Sequence, residues 1–251
     1  MKTANHLQAS ALPRGTVLAM LAAVLVAGMT LLSAEALARP MTKVFLNGAP
    51  APVFFNDGDS FSVLGGPLEG TKARLAGFNS LESFGAVHRW GKWDAHELYV
   101  VAKMATLNAR RGVWHCHSDL RRDGYGRILW TCPDLIVDQI RKGLAHAMTV
   151  TKDPSPKEHL EAQRLAQAER RGIWAHGIPE YVLTSTHSND EGYEGTTYNR
   201  LVSSADGHSE KWIHKDIYKD CDEICHPTGS CMIHVNFSRR FGYGRAECLA
   251  H

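Results

Sequence analysis

Three short aromatic or aliphatic runs, at 52–56, 60–64 and 71–78, follow one another before any helical pattern begins. Asp-Gly and Gly-Gly-Pro turns separate them. Runs of that length bounded by turn residues read as strands joined to their sequence neighbours. This grouping excludes an all-parallel α/β sheet, in which each strand would be followed by a crossover helix. The apolar period lengthens only at 94–110, where Leu98, Val101, Ala105 and Asn108 share a helical face and Gly112 stops the helix.

Beyond that stop the pattern predicts a hairpin, 113–117 against 127–132, with a polar turn at 118–126. A second helix starts at Pro133, with Ile136 and Ile140 on one face and Gly143 near its end. A third is expected over 155–171, followed by Ile173 and Trp174 as a core plug. The fold class expected is therefore α+β: a small barrel under helical cover. Residues 184–197, rich in Ser, Thr, Gly and acids, read as a linker to a separate β-rich, cysteine-stapled module at 198–251.

Lys2 and Arg14, an apolar run over 16–32 and small residues ending in an A-x-A site at Ala36–Ala38 describe a secretory leader at 1–38. Uncleaved, the run approaches a membrane-spanning length. Cleavage points to a secreted or periplasmic protein with no stable membrane association. Loss of Lys2, Arg14 and Glu35 takes the formal net charge of +2 down by one. Any affinity for nucleic acid must then come from a local patch.

Export also sets the meaning of the six cysteines. An even number in an oxidising compartment favours disulfides. Cys116 and Cys132 flank the expected hairpin symmetrically, which suits a cross-strand bridge. Cys221, Cys225, Cys231 and Cys248 allow three pairings, and a zinc site using Cys221, Cys225, Cys231 and His234 is the rival reading.

Chemistry concentrates in three segments, NDGDSFSV (56–63), KARLAGFNSLES (72–83) and DGYGRILW (123–130). Each has a plain reading: Asp57 and Asp59 as turn residues, Glu82 as a loop acid, Arg127 as a charge at a strand start. In this order, and followed by GLAHA and EAQRLAQAERRGIW, the segments resemble the staphylococcal nuclease (thermonuclease) family over residues 43–178. The resemblance implies a five-stranded OB-type β-barrel with three helices, here in the segment 39–183. It also implies metal-dependent hydrolysis of DNA and RNA phosphodiesters.

Carried over by position, Arg74, Glu82 and Arg127 match the family's catalytic set, and Tyr125 a substrate-phosphate contact. Asp59 matches a calcium-binding aspartate, and Ser80 stands where the family offers a backbone carbonyl to the metal. Asn79 replaces an aspartate usual in the family, with Asp57 near enough to compensate. The family's substrate-side tyrosines after the second helix are missing from 146–151, where the chain reads HAMTVT.

The chemistry fits these residue types. Arginines give permanently charged, bidentate donors to phosphate oxygens as charge builds on them. Glu82 can orient or deprotonate the attacking water. Calcium suits oxygen-only ligands, with magnesium and manganese as alternatives. A barrel that binds nucleic acid or a protein without turnover is the second functional reading, motivated by Asn79 and the missing tyrosines. Ser238–Arg245 mixes cations with aromatics, which suits either nucleic acid or a charged edge hairpin, the latter being favoured.

Overall fold

The computed structural model describes residues 42–192 and 196–249; the expected leader lies outside the described residues. Strands β1 (Lys43–Leu46), β2 (Ala49–Ala51), β3 (Val53–Phe55), β4 (Ser60–Val63), β5 (Lys72–Leu75), β6 (Phe78–Ser80) and β7 (His88–Trp90) precede helix α1 (Ala95–Ala109). Next come β8 (Val113–Cys116), β9 (Ile128–Trp130), α2 (Pro133–Arg141), β10 (Ala145–Ala147) and α3 (Lys157–Ala168). The remainder is β-rich: β11 (Tyr181–Ser185), β12 (Tyr198–Ser203), β13 (Ser209–Ile213), β14 (Glu223–Cys225) and β15 (Ser230–Ile233). The chain is α+β, with three α-helices among the described residues and its strands in small sheets.

Local chemistry accounts for the helix ends. Asp94 accepts from the Glu97 backbone N–H at 2.8 Å, and the Glu97 carboxylate accepts from the Asp94 N–H at 3.3 Å, so α1 opens with a reciprocal cap. Pro133 opens α2, where its missing N–H costs nothing. Asn108 on α1 donates to Asp138 on α2 at 2.7 Å and ties the two helices together.

Two expectations change on the sheet side. The predicted run at 71–78 breaks into β5 and β6 around Gly77, whose φ of +93° turns the chain. A Cβ there would lie 3.1 Å from the His159 ring. β6 thereby leaves the order β3-β4-β5-β9 and pairs with β10 instead. The expected hairpin forms only in part, as antiparallel bridges between His117 and Thr131 and between Arg122 and Ile128. β8 pairs in parallel with β1, and β9 in parallel with β5. The two runs meet mainly at the His117–Thr131 bridge, and the Cys116–Cys132 disulfide sits beside it. Strand alternation still holds, with His115 and His117 exposed and Cys116 buried.

The other pairings are Cys221–Cys248 and Cys225–Cys231, which fixes one of the three connectivities. The zinc alternative falls with it, because a disulfide sulfur is not a thiolate ligand. Glu223 clusters with the sulfurs of Cys225 and Cys231, and the same objection applies there. Bridges of this kind form and persist in oxidising compartments. Among the described residues no helix is long and apolar enough to cross a membrane.

Residues 41–251 form one compact unit. Thr184 and Ser185 of the expected linker belong to β11, which pairs antiparallel with β12. The segment after it reaches back into the earlier part of the chain, because β15 pairs with β7. Val87, Leu183, Leu201, Met232, Val235, Ala246 and Leu249 share one apolar cluster. Ile173 and Trp174 are fully buried, as a core plug should be. The Trp90 and Trp93 indoles anchor the loop before α1 by donating to Gly177 O at 3.1 Å and Ile173 O at 2.9 Å.

Candidate functional site

The Asp57-Gly58-Asp59 turn is pressed against β6 and α1. A Cβ on Gly58 would stand 2.8 Å from both the Ala105 and Ser80 Cβ atoms, so glycine is what lets the turn approach this closely. Asp57 Oδ1 accepts from the Asp59 N–H at 3.1 Å and the Ser60 hydroxyl at 2.7 Å, which locks the turn. The carboxylate of Asp59 then points inward and is buried.

Around it four of the expected residues come into direct contact. Arg74 on β5 donates to Asp59 Oδ1 through Nη1 and to Asn79 Oδ1 through Nη2, the latter at 2.7 Å. Asp59 Oδ2 accepts from the Ser80 N–H at 2.8 Å. Arg74 can only donate, so it fixes the Asn79 amide with its oxygen inward. The Asn79 amide nitrogen consequently donates to Ser80 O at 2.8 Å and faces His146 Nε2 at 3.4 Å. β6–β10 pairing puts His146 directly opposite Asn79.

Burial raises Asp59 from 3.8 to about 7, Arg74 pulling the other way and Asp57 adding to the rise. Burial also works against the charge on Arg74. Asp59, Asp57 and Glu82 more than offset this, and its pKa is raised. His146 is pushed by burial down to about 4, and His88 by burial and His146 to about 3. Both imidazoles are therefore neutral at neutral pH. His88 Nε2 accepts from the Glu82 N–H at 3.2 Å, which places the proton on Nδ1.

Glu82 lies on the outer side of this group. Burial raises its pKa; Arg240, Arg74 and Arg127 pull it back, and Asp57 adds to the rise. The strongest of the three cations, Arg240, comes from the far C-terminal segment. Asp57 and Glu82 line an open cavity of about 330 Å³ together with Tyr99, Lys103, Arg240, Phe241 and Arg245. A second cavity, of about 650 Å³, is lined by Lys72, Tyr125, Arg127, Phe237 and Arg240 among others. Asp123 holds Arg127 in that second cavity, accepting from its Nε at 2.8 Å and its Nη2 at 2.7 Å. Tyr125 lies beside it, with the Arg127 guanidinium 5.4 Å from its ring centre. Arg240 borders both cavities.

Asp59, Asn79, Ser80 and Asp57 offer only oxygens, a donor set whose chemistry suits a hard dication. Their arrangement does not. Arg74 holds the Asp59 and Asn79 oxygens that would face the ion, and the Asn79 amide nitrogen covers Ser80 O. Arg74 already supplies the positive charge at this point. A dication would have to displace it.

Sequence reasoning singled out Arg74, Glu82, Arg127 and the acidic turn as site candidates, and did not put forward Arg240, His88 or His146, which lie beside them here. The only available signal for Arg240 was the mix of cations and aromatics in 238–245. The favoured reading of that stretch, an edge hairpin, is not what forms. Phe237–Arg239 make a single 3-10 turn and irregular chain follows. No protein-family model matches the chain, and no curated protein matches it.

Proposed function

We propose that the protein hydrolyses phosphodiester bonds of DNA and RNA as a secreted or periplasmic endonuclease. One observation carries the reading: Glu82, a carboxyl raised by burial and drawn back by the charges of Arg240, Arg74 and Arg127, lines an open cavity that shares Arg240 with the cavity holding Arg127. The reading includes the five-stranded OB-type barrel implied by the resemblance to staphylococcal nuclease, with β3, β4, β5 and β9 among its strands.

In this reading Arg127 and Arg74 bind the non-bridging oxygens and stabilise the charge that accumulates on them as water attacks. Tyr125 flanks the phosphate beside Arg127. Glu82 takes the proton from the attacking water as its oxygen bonds to phosphorus, the P–O bond to one sugar oxygen breaks, and that leaving oxygen takes a proton from solvent. The raised pKa of Glu82 brings it nearer to neutrality, where a base is most useful. The His88 bond to the Glu82 N–H holds the backbone from which that carboxylate projects.

Calcium, or magnesium or manganese, enters the proposal only by displacing Arg74 from Asp59 and Asn79; that exchange would free Arg74 for the substrate. The test is digestion of single-stranded DNA and of RNA by the disulfide-intact protein, with calcium and with chelator, and with Glu82→Gln as control. Cleavage lost in Glu82→Gln supports the reading. Absence of cleavage at every calcium concentration, or full activity in Glu82→Gln, sinks it.

The locked Arg74 favours one alternative, a barrel that binds nucleic acid without cutting it. That reading expects salt-sensitive oligonucleotide binding with no turnover.

A further inference from the structure

Residues 236–245 are exposed except for Arg240, yet both ends of the segment are pinned. On one side Val235 is buried, and the Asn236 N–H donates to Asp220 Oδ1 at 2.9 Å. On the other, Ala246 and Leu249 are buried, the Ala246 N–H donates to Arg239 O at 2.8 Å, and Cys248 is bridged to Cys221. Gly85, in the loop after Glu82, has no room for a Cβ because Leu249 Cδ2 would lie 2.4 Å from it. The segment is thereby held against the loop that carries Glu82.

Arg240 is the fixed point. Its Nε donates to Val235 O at 3.0 Å. Its guanidinium lies 5.1 Å from the Phe84 ring centre and 5.8 Å from that of Phe237. Among the described residues no hydrogen bond or ion pair engages its terminal amino groups. Phe237, 75% exposed, lines the Arg127 cavity; Phe241, 63% exposed, lines the Glu82 cavity. One largely exposed ring therefore stands on each side of a cation that faces both cavities, Phe241 packed edge-on against Phe84 with its centroid 6.0 Å away, and Lys72, Lys103 and Arg245 lie along the same walls.

We infer that residues 236–245 form the second wall of the substrate cleft and bind single-stranded nucleic acid, Arg240 contacting a backbone phosphate and Phe237 and Phe241 stacking on bases to either side. The inference rests on the reading of the site as one that handles nucleic acid, and adds the strand form it takes. Alternating rings and cations match alternating bases and phosphates. Bases within a duplex are covered by their neighbours, so exposed rings of this kind select unpaired bases.

The experiment measures binding in chelator, by fluorescence anisotropy, of a labelled oligothymidylate and of an abasic strand of equal length, each about a dozen units long. Phe237→Ala and Phe241→Ala should each raise Kd for oligothymidylate about 5- to 150-fold and leave abasic-strand binding unchanged. Arg240→Ala should weaken both and reduce the slope of log K against log salt by about 0.7. Tyr243, fully exposed on the same segment but lining neither cavity, is the control, and Tyr243→Ala should change nothing. The substituted rings are exposed, and unchanged circular dichroism checks that each variant is folded.

Equal binding of the two strands by the wild type, unchanged binding in the Phe237 and Phe241 variants, or an equal loss in Tyr243→Ala would overturn the inference. So would competition by polyglutamate as effective as that by unlabelled oligothymidylate, which would indicate an acidic protein partner. The expected binding pattern without cleavage keeps the wall and removes the hydrolase. Cleavage that persists with unaltered binding and KM in all three variants does the reverse.

Discussion

Two neutral histidines buried beside the acidic group should make the protein sensitive to mild acid in a way that one substitution can isolate. His88 falls from 6.5 to about 3 and His146 from 6.5 to about 4 on folding. Between 6.5 and these values the unfolded chain takes up protons that the folded chain does not, so stability is lost as pH falls through that window. At about pH 5 each imidazole has cost about 2 kcal/mol, at about 1.4 kcal/mol per pH unit, a sizeable part of the 5–15 kcal/mol typical of a domain. Asp59 acts in the opposite sense. Its pKa rises from 3.8 to about 7, so at about pH 5 the folded carboxyl holds a proton the unfolded one lacks, a gain of about 3 kcal/mol. Other groups shift as well, His159, His187, His226 and His234 downward and Glu82 upward, so the raw acid slope sums opposed contributions and diagnoses nothing.

The difference between variants does diagnose it. His88→Gln keeps an acceptor within reach of the Glu82 N–H and removes one titrating group. Both folded imidazoles are neutral at about pH 5, so their mutual repulsion is silent and the two contributions separate. Urea unfolding of the oxidised protein in chelator, at about pH 7.5 and about pH 5, should show His88→Gln losing about 2 kcal/mol less than the wild type on acidification. Identical pH dependence in the two proteins would refute the assignment of His88 as a buried neutral imidazole.

Asn79→Asp strips Ser80 O of its donor and sets two oxygens against each other, so urea unfolding should show a loss of about 1–3 kcal/mol; unchanged stability would show that the amide orientation is wrong. Replacing Cys116 and Cys132 together by serine opens a loop with a sequence separation of 16 and should cost about 3 kcal/mol in the same measurement. Gly143→Ala combines a φ of +67° with a Cβ 2.3 Å from Arg171 O and should cost more than about 2 kcal/mol. Gly124→Ala, with nothing within 4 Å, should be near neutral. Asp123→Asn frees Arg127 from its ion pair: stability should change by less than about 1 kcal/mol, while kcat/KM for single-stranded DNA falls about 10- to 100-fold.

The helices were legible because their signals are local. Asp94 and Glu97 cap α1 within one turn, Pro133 opens α2, and Gly143, with φ +67°, stands just past its end. The strands were legible as strands, but their partners were not. The runs on either side of the 118–126 turn look like a hairpin by proximity, yet β8 and β9 find better neighbours in β1 and β5, far back in the chain. Arg74, Asp59 and Glu82 could be found because they lie within one stretch of short strands. Arg240 could not, since its position depends on β15 meeting β7 and on a disulfide between residues 221 and 248. No local pattern encodes either.

Arg240 also changes what Asn79 means. Taken alone, asparagine at that position looks like a lost charge and a weakened cation site. In the folded chain Asp57, Asp59 and Glu82 already place three carboxyls against Arg74, Arg127 and Arg240, and Asp123 draws on Arg127 as well. A further carboxylate at 79 would add negative charge to a group whose carboxyls already outnumber its guanidiniums, in a buried setting where an uncompensated charge is expensive. It would also face Ser80 O at the 2.8 Å now bridged by an amide N–H, and would favour a proton on His146. Asparagine satisfies Arg74, Ser80 O and His146 without adding charge. The residue is thus consistent with a site whose positive charge is carried by guanidinium groups, Arg74 on β5, Arg127 just before β9 and Arg240 delivered by the C-terminal segment.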